Sequence, residues 1–187
     1  LKNVKIEKSI NFQFKGETMA KKVAINGIGR IGRNAFKIAF ERDDVEIVAI
    51  NDLTDTKTLA HLLKHESTYG TYHHEVTHDE NNIIIAGKKI RVLSEKEPAS
   101  LPWSDYEVDA VIESTGLFVD PAKARVHIEA GAKKVVISAP AKGEGAKFIV
   151  LGVNEDTLTQ SDEIISNASC TTNCIAPIMA ILDREFG

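Results

Sequence analysis

The sequence predicts a doubly wound α/β fold built on a mostly parallel sheet. Two observations predict it. Short apolar, strand-like runs alternate with helix-like segments, the pattern that right-handed crossovers wrap into a parallel sheet. Gly27, Gly29 and Gly32 form G-x-G-x-x-G between the first such strand and the first helix, where a glycine-rich turn can cradle a pyrophosphate.

The elements follow in order. Lys22–Asn26 reads as a short strand and Arg30–Arg42 as a helix with Ile31, Ala35, Ile38 and Ala39 on one face. Val45–Asn51 is nearly continuous apolar, as expected of a strand covered on both sides. Thr56–Lys64 reads as a helix, and 67–82 is polar and turn-rich. Ile83–Ala86 and Lys89–Leu93 flank Gly87-Lys88 as a hairpin. Asp109–Glu113 is a buried strand. Pro121–Ala130 is a helix with proline in its first turn and Gly131 beyond its end. Lys134–Ser138, Phe148–Gly152 and Ile164–Ser166 are further strands, and Thr171–Phe186 is a closing helix.

Composition narrows the class. The chain has 187 residues, 43% hydrophobic and 27% charged, which fits a globular protein and excludes wholesale disorder. No uncharged apolar run approaches the roughly 18 residues of a membrane span. A net charge of −4 lacks the basic footprint of a nucleic-acid binder. Two cysteines are too few for a disulfide scaffold and fit a reducing compartment. Residues 1–18 have neither the apolar core of a secretory signal nor the arginines of a transit peptide. They are expected to be a non-native leader ahead of Met19, although Ile10, Phe12 and Phe14 alternate as a strand would.

The glycine spacing has a physical cause. Gly27 serves the tight turn, Gly29 the close approach of the pyrophosphate, and Gly32 the packing of helix on strand. The anion then lies over the helix N-terminus, where free N–H groups favour it. Asp52 follows the second strand about 20 residues later, where an acid is expected to hold ribose hydroxyls. A carboxylate there disfavours a 2′-phosphate, so NAD is expected over NADP. Ser114, Thr115, Gly116 and Ser138 stand at strand ends, where ligands of doubly wound folds collect. Each would otherwise be an ordinary loop cap.

Cys170 opens the last helix, amid Ser169, Thr171 and Thr172. A thiol at a helix start favours the nucleophilic thiolate. The nearby hydroxyls and N–H groups suit an oxyanion or a phosphate. Cys174, one turn on, is read as a buried small hydrophobe. The C-x-x-x-C spacing does not suit a zinc knuckle, and no metal is expected.

These motifs, Asn26-Gly27-Ile28-Gly29-Arg30-Ile31-Gly32-Arg33, Asn51-Asp52-Leu53, Glu113-Ser114-Thr115-Gly116, Ser138-Ala139-Pro140 and Ser169-Cys170-Thr171-Thr172-Asn173-Cys174, resemble in order those of the glyceraldehyde-3-phosphate dehydrogenase family. The resemblance runs from about Met19 to Gly187. It implies a Rossmann NAD-binding domain over 19–169 and the start of a catalytic domain over 170–187. It implies cytoplasmic, NAD-dependent oxidative phosphorylation of glyceraldehyde 3-phosphate by a homotetramer, with neither nucleic acid nor membrane as partner. Cys170 would attack the aldehyde and form the thioester that inorganic phosphate cleaves. Arg30 and Ile31 would line the cofactor, Ser138 would lie near the nicotinamide, and Ser169 and Thr171 would help bind phosphate. Alternatives are a dehydrogenase of erythrose 4-phosphate, or a stand-alone NAD-binding module.

The family pairs its cysteine with a histidine that lies after it. All six histidines here (61, 65, 73, 74, 78 and 127) precede Cys170. All are read as surface or loop residues. The chain is therefore expected to be an N-terminal fragment without its general base, and inactive by itself.

Overall fold

The computed structural model describes residues 19–187, so the expected leader lies outside the described residues. Its first strand, β1 (Lys21–Asn26), leads through the glycine turn into α1 (Arg30–Phe40) and then β2 (Val45–Asn51). α2 (Thr56–Lys64) follows, its N-terminus capped by Asp55, which accepts from the Thr58 N–H at 2.9 Å. A small hairpin of β3 (His65–Glu66) and β4 (Gly70–Thr71) precedes β5 (Val76–His78), β6 (Asn82–Ile85) and β7 (Lys88–Leu93). The second half runs β8 (Ala110–Glu113), α3 (Pro121–Ala124), α4 (Val126–Glu129), β9 (Lys134–Ile137), β10 (Lys147–Phe148), β11 (Ile164–Ser166) and α5 (Cys170–Phe186).

Nine strands make one sheet in the order β10-β11-β9-β8-β1-β2-β7-β6-β5. Its centre, β7-β2-β1-β8-β9-β11, is parallel throughout, and β5 and β6 close one edge antiparallel. The chain winds outward from β1 through β2 to β7, then returns to β8 on the other side of β1. That reversal leaves a crevice at the carboxyl ends of β1 and β8, the place where doubly wound sheets take their ligands.

Both faces of the sheet are covered, which explains the near-continuous apolar strands. Ile25 and Ile50 face Phe36 of α1 and Leu59 and Leu63 of α2. On the opposite face Ala24 and Ala49 are register partners. These two small residues belong to the cluster around the fully buried Trp103.

The helix expected over Pro121–Ala130 is split at Arg125, which ends α3 and starts α4. The strand expected over Phe148–Gly152 stops at Phe148. Asn154 diverts the chain there: its side chain donates to the Phe148 carbonyl at 2.9 Å and accepts from the Val150 N–H at 2.8 Å. The polar 67–82 stretch holds β4 and β5 rather than turns throughout.

His127 overturns the surface reading: it is completely buried. The Trp103 indole N–H donates to its Nδ1 at 3.0 Å. Indole has no other role than donor, so Nδ1 accepts and Nε2 carries the proton. Nε2 then donates to Glu113 Oε2 at 3.0 Å. The same carboxylate accepts from Asn26 Nδ2 at 2.6 Å, and from the Thr115 N–H at 2.8 Å and its hydroxyl. Burial by itself would raise the Glu113 pKa, but the hydrogen bonds from His127, Thr115 and Asn26 outweigh it and hold the carboxyl below its ordinary value.

A depressed pKa means that Glu113 stabilises the fold fully above the unfolded value of about 4.3, and less as pH falls through the folded value. Glu113→Gln is expected to flatten the acid limb of the stability curve. Denaturation in urea between neutral pH and pH 3 checks this. His127→Ala is expected to cost about 3 kcal/mol or more, because it leaves the Trp103 N–H and one carboxylate lone pair unpartnered around a cavity.

Candidate functional site

The carboxyl ends of the central strands are joined by a run of backbone bonds. Gly27 N–H donates to the Asn51 carbonyl, Ser114 N–H to Asn26, Ser138 N–H to Glu113 and Asn167 N–H to Ile137, all at 2.8–3.0 Å. The carboxyl end of β2 and the residues just past β1, β8, β9 and β11 therefore stand side by side along one edge. Four inter-strand spacings of about 4.8 Å separate the first from the last, roughly 19 Å in all. That is the scale of a dinucleotide lying across the edge.

At its β1/β8 end the edge borders a cavity of about 340 Å³. Gly27, Gly29, Asp52, Ser114 and Thr115 help wall it. The glycines differ in what they permit. Gly27 has φ +91°, and a Cβ there would lie 2.7 Å from the Thr115 nitrogen. A Cβ on Gly32 would collide with the Gly27 carbonyl oxygen. A Cβ on Gly29 would meet nothing within 4 Å, so the space over the start of α1 is open.

Asp52 accepts from the Ile28 N–H at 2.8 Å and from the Thr54 N–H at 2.9 Å, one bond to each oxygen. It is thus a turn-capping aspartate, and it also lines the cavity. A carboxylate has about four lone-pair sites, so acceptors remain for two vicinal hydroxyls. Ser114 donates to the Gly27 carbonyl at 2.6 Å and braces the glycine turn from β8. The open space over Gly29, the free acceptors of Asp52 and the crevice position all fit a dinucleotide.

Some expected residues stand apart from this wall. Arg30 and Ile31 open α1 and are exposed, and neither walls the cavity. Gly116 (φ +77°) continues the turn after Thr115, and Ser138 lies beyond β8, at the end of β9. Leu53, Glu95, Lys96, Leu117 and Phe118 also wall the cavity, and the sequence reading did not single them out as ligand contacts. For Glu95 and Lys96 a signal existed: β7 pairs with β2, so the loop after β7 must lie beside Asp52. Glu95 is fixed there by paired bonds with Asn51, at 2.8 and 2.9 Å.

At the β11 end the chain turns sharply into α5. Ala168 holds φ +57°, unusual for a residue with a Cβ, and is buried. Ser169 then caps the helix, its hydroxyl accepting from the Thr172 N–H at 2.9 Å. The Thr171 and Thr172 hydroxyls lie 2.9 and 2.7 Å from the same oxygen. Cys170 is the first helical residue and is exposed, at the end of the helix where N–H groups lack intrahelical acceptors. Cys174 is exposed as well, contrary to the buried role expected of it, because no residue of α5 is buried.

Comparison with known proteins gives this arrangement a family. Residues 21–121 match the model described as "Glyceraldehyde 3-phosphate dehydrogenase, NAD binding domain". The chain belongs to that family. Glyceraldehyde-3-phosphate dehydrogenase of Thermotoga maritima is 56% identical over 168 residues, which are 89% of this chain and 50% of that protein. The enzyme of Geobacillus stearothermophilus is 53% identical over 170 residues, 90% of this chain and 50% of its own length. The enzyme numbered 1 of Bacillus cereus is 52% identical over 167 residues. The chain spans about half the length of the curated relatives it matches. No helix among the described residues is long and apolar enough to cross a membrane.

The glycines separate folding from binding. Gly29→Ala is expected to leave the unfolding midpoint nearly unchanged while weakening NAD at least tenfold, because its Cβ meets only the space a pyrophosphate would fill. Gly32→Ala is expected to lower stability by about 1–3 kcal/mol, since backbone must move to admit the methyl. Titration calorimetry with NAD and thermal unfolding of both variants check this.

Proposed function

We propose that this chain carries the NAD site and the nucleophile of a phosphorylating glyceraldehyde-3-phosphate dehydrogenase. The observation that supports it best is positional. Cys170 begins α5 at the same sheet edge as the cavity walled by Gly27, Gly29 and Asp52. In this reading 19–169 is the cofactor domain and Cys170 opens the catalytic domain.

Gly29 would bring backbone close to the pyrophosphate over a turn that Gly27 and Gly32 make possible, Asp52 would accept from the adenosine ribose, Ser114 and Thr115 would form the far wall, and Gly116 would continue the turn beyond it. Ser138, farther along the edge, faces the nicotinamide side, and Arg30 and Ile31 flank the entrance. Bound NAD supplies a hydride acceptor. Cys170 Sγ adds to the aldehyde carbon, and loss of hydride leaves an acyl thioester on the same sulfur. The thioester conserves the oxidation energy until inorganic phosphate attacks it. Ser169 and Thr171 offer hydroxyls, and the open helix end offers N–H groups, to that phosphate and to the developing oxyanion.

Proton transfer needs a base. His127 is committed to Trp103 and Glu113 through both ring nitrogens. The other five histidines fall between residues 61 and 78, on α2, β3, β5 and the segment between β4 and β5. In this reading the histidine base, the assembly into a tetramer and the choice between three-carbon and four-carbon aldehydes belong to the half of the full-length relatives that this chain does not span.

Two measurements test the proposal. Glyceraldehyde 3-phosphate is expected to slow alkylation of Cys170 by forming a hemithioacetal there, and Cys170→Ser is expected to remove that reactive site. Without its base the chain is expected to form NADH at least about 10²-fold more slowly than a full-length relative. Normal turnover by this chain, or alkylation of Cys170 indifferent to the aldehyde, would contradict it.

A further inference from the structure

We infer that Glu41, His73 and His74 form a surface site for a divalent transition-metal ion of the zinc class. The site ties the end of α1 to the segment between β4 and β5. It lies away from the cofactor edge: Glu41 and His74 border a cavity shared with Ala20, Val45 and Glu46, at the amino ends of β1 and β2.

The donor set is right in kind and spacing. Two imidazoles and one carboxylate are a recurrent zinc ligand set. The three ligand atoms all lie within 4.8 Å of one another. Glu41 Oε1 is 3.0 Å from His74 Nε2 and 3.5 Å from His73 Nε2. Tetrahedral zinc with bonds of about 2.0–2.1 Å places neighbouring ligand atoms roughly 3.4 Å apart, so small side-chain rotations suffice.

The surroundings hold these ligands in place. Tyr72 is buried, and its hydroxyl donates to Glu41 Oε1 at 2.8 Å, the outer-shell contact that orients a ligating carboxylate. The His74 ring is packed edge-on against Phe40 and Tyr72, with centroids 5.6 and 5.2 Å away. Lys64 Nζ donates to the carbonyls of Tyr72 and His74, both at 2.8 Å, pinning the backbone on either side of His73. The two imidazoles are only 4.1 Å apart between centroids. An ion held between the two rings would stabilise that pairing.

Nearby cations do not take the metal's place. Arg42 is paired with Asp44, Lys88 lies over the Phe40 ring and Lys37 over the Tyr72 ring. His73 and Glu41 are 68% and 43% exposed at their side chains, so an ion can reach them and keep a solvent position open. His61 and His65 are also close, with ring centroids 4.9 Å apart, but belong to no group of three donors among the described residues, and they serve as the control.

The test is calorimetric titration of Zn²⁺ into the whole chain carrying Cys170→Ser and Cys174→Ser, which removes competing thiols. The expected result is one saturable site that raises the unfolding midpoint. His73→Ala and Glu41→Gln should each weaken it at least tenfold, and His61→Ala should leave it unchanged. His73 is exposed, and Gln at 41 still accepts from Tyr72, so both variants should keep the fold, which circular dichroism checks. No saturable binding below about 1 mM, or binding indifferent to His73→Ala, would overturn the inference.

Discussion

A buried carboxylate holds the cofactor edge together. Glu113 ends β8 at the point where the sheet reverses direction, and it has almost no contact with solvent. An ion there is tolerated only when its lone pairs are filled. Asn26 of β1, Thr115 of the following turn and His127 of α4 fill them, and Trp103 fixes the His127 tautomer from behind. Asn51 extends the network to β2 by donating to Asn26 at 2.8 Å. Three neighbouring strand ends are thereby locked to one another directly beneath Gly27 and Asp52. A partly satisfied network would be worse than an apolar core, so the floor of the cavity is held in one arrangement.

The second constraint is at the turn into α5. Ala168 adopts a left-handed conformation that a residue with a Cβ holds only when its surroundings impose it. Ser166 helps to impose it: its hydroxyl donates to the Ala139 carbonyl at 2.7 Å and accepts from the Ala141 N–H at 3.1 Å and the Ala168 N–H at 3.2 Å. The end of β11 is thus tied to the loop that follows Ser138. Cys170 is presented by backbone geometry rather than by side-chain packing, and Ser169 completes the helix end beside it.

Much of this was legible in the sequence because it rests on local rules. Apolar runs with turns between them marked the parallel strands, the glycine spacing marked the β1–α1 turn, and Asp52 and Cys170 stood where their elements begin or end. The missed features depend on distant partners. His127 lies on a short helical segment with Arg125 and Glu129 two residues away on either side, and nothing local marks it as buried. Its burial follows from Trp103 and Glu113, 24 and 14 residues away. The apolar Phe148–Gly152 run looks like a strand, and the Asn154 side chain turns it aside. Cys174 looks like a core residue, yet α5 leaves Ile175, Ile178, Met179, Ile181 and Leu182 exposed around it. The adjacent His73 and His74 gained meaning only when the fold brought Glu41 to them.

In the proposed function, one edge of the sheet carries both a dinucleotide and the Cys170 thiol. The most direct measurement is the rate at which iodoacetamide modifies Cys170 and Cys174, followed by mass spectrometry with and without saturating NAD. Cofactor lying along the edge toward Ser138 predicts slower modification of Cys170 and little change at Cys174, which lies one turn farther along α5. NAD that binds but leaves the Cys170 rate unchanged would contradict the shared edge.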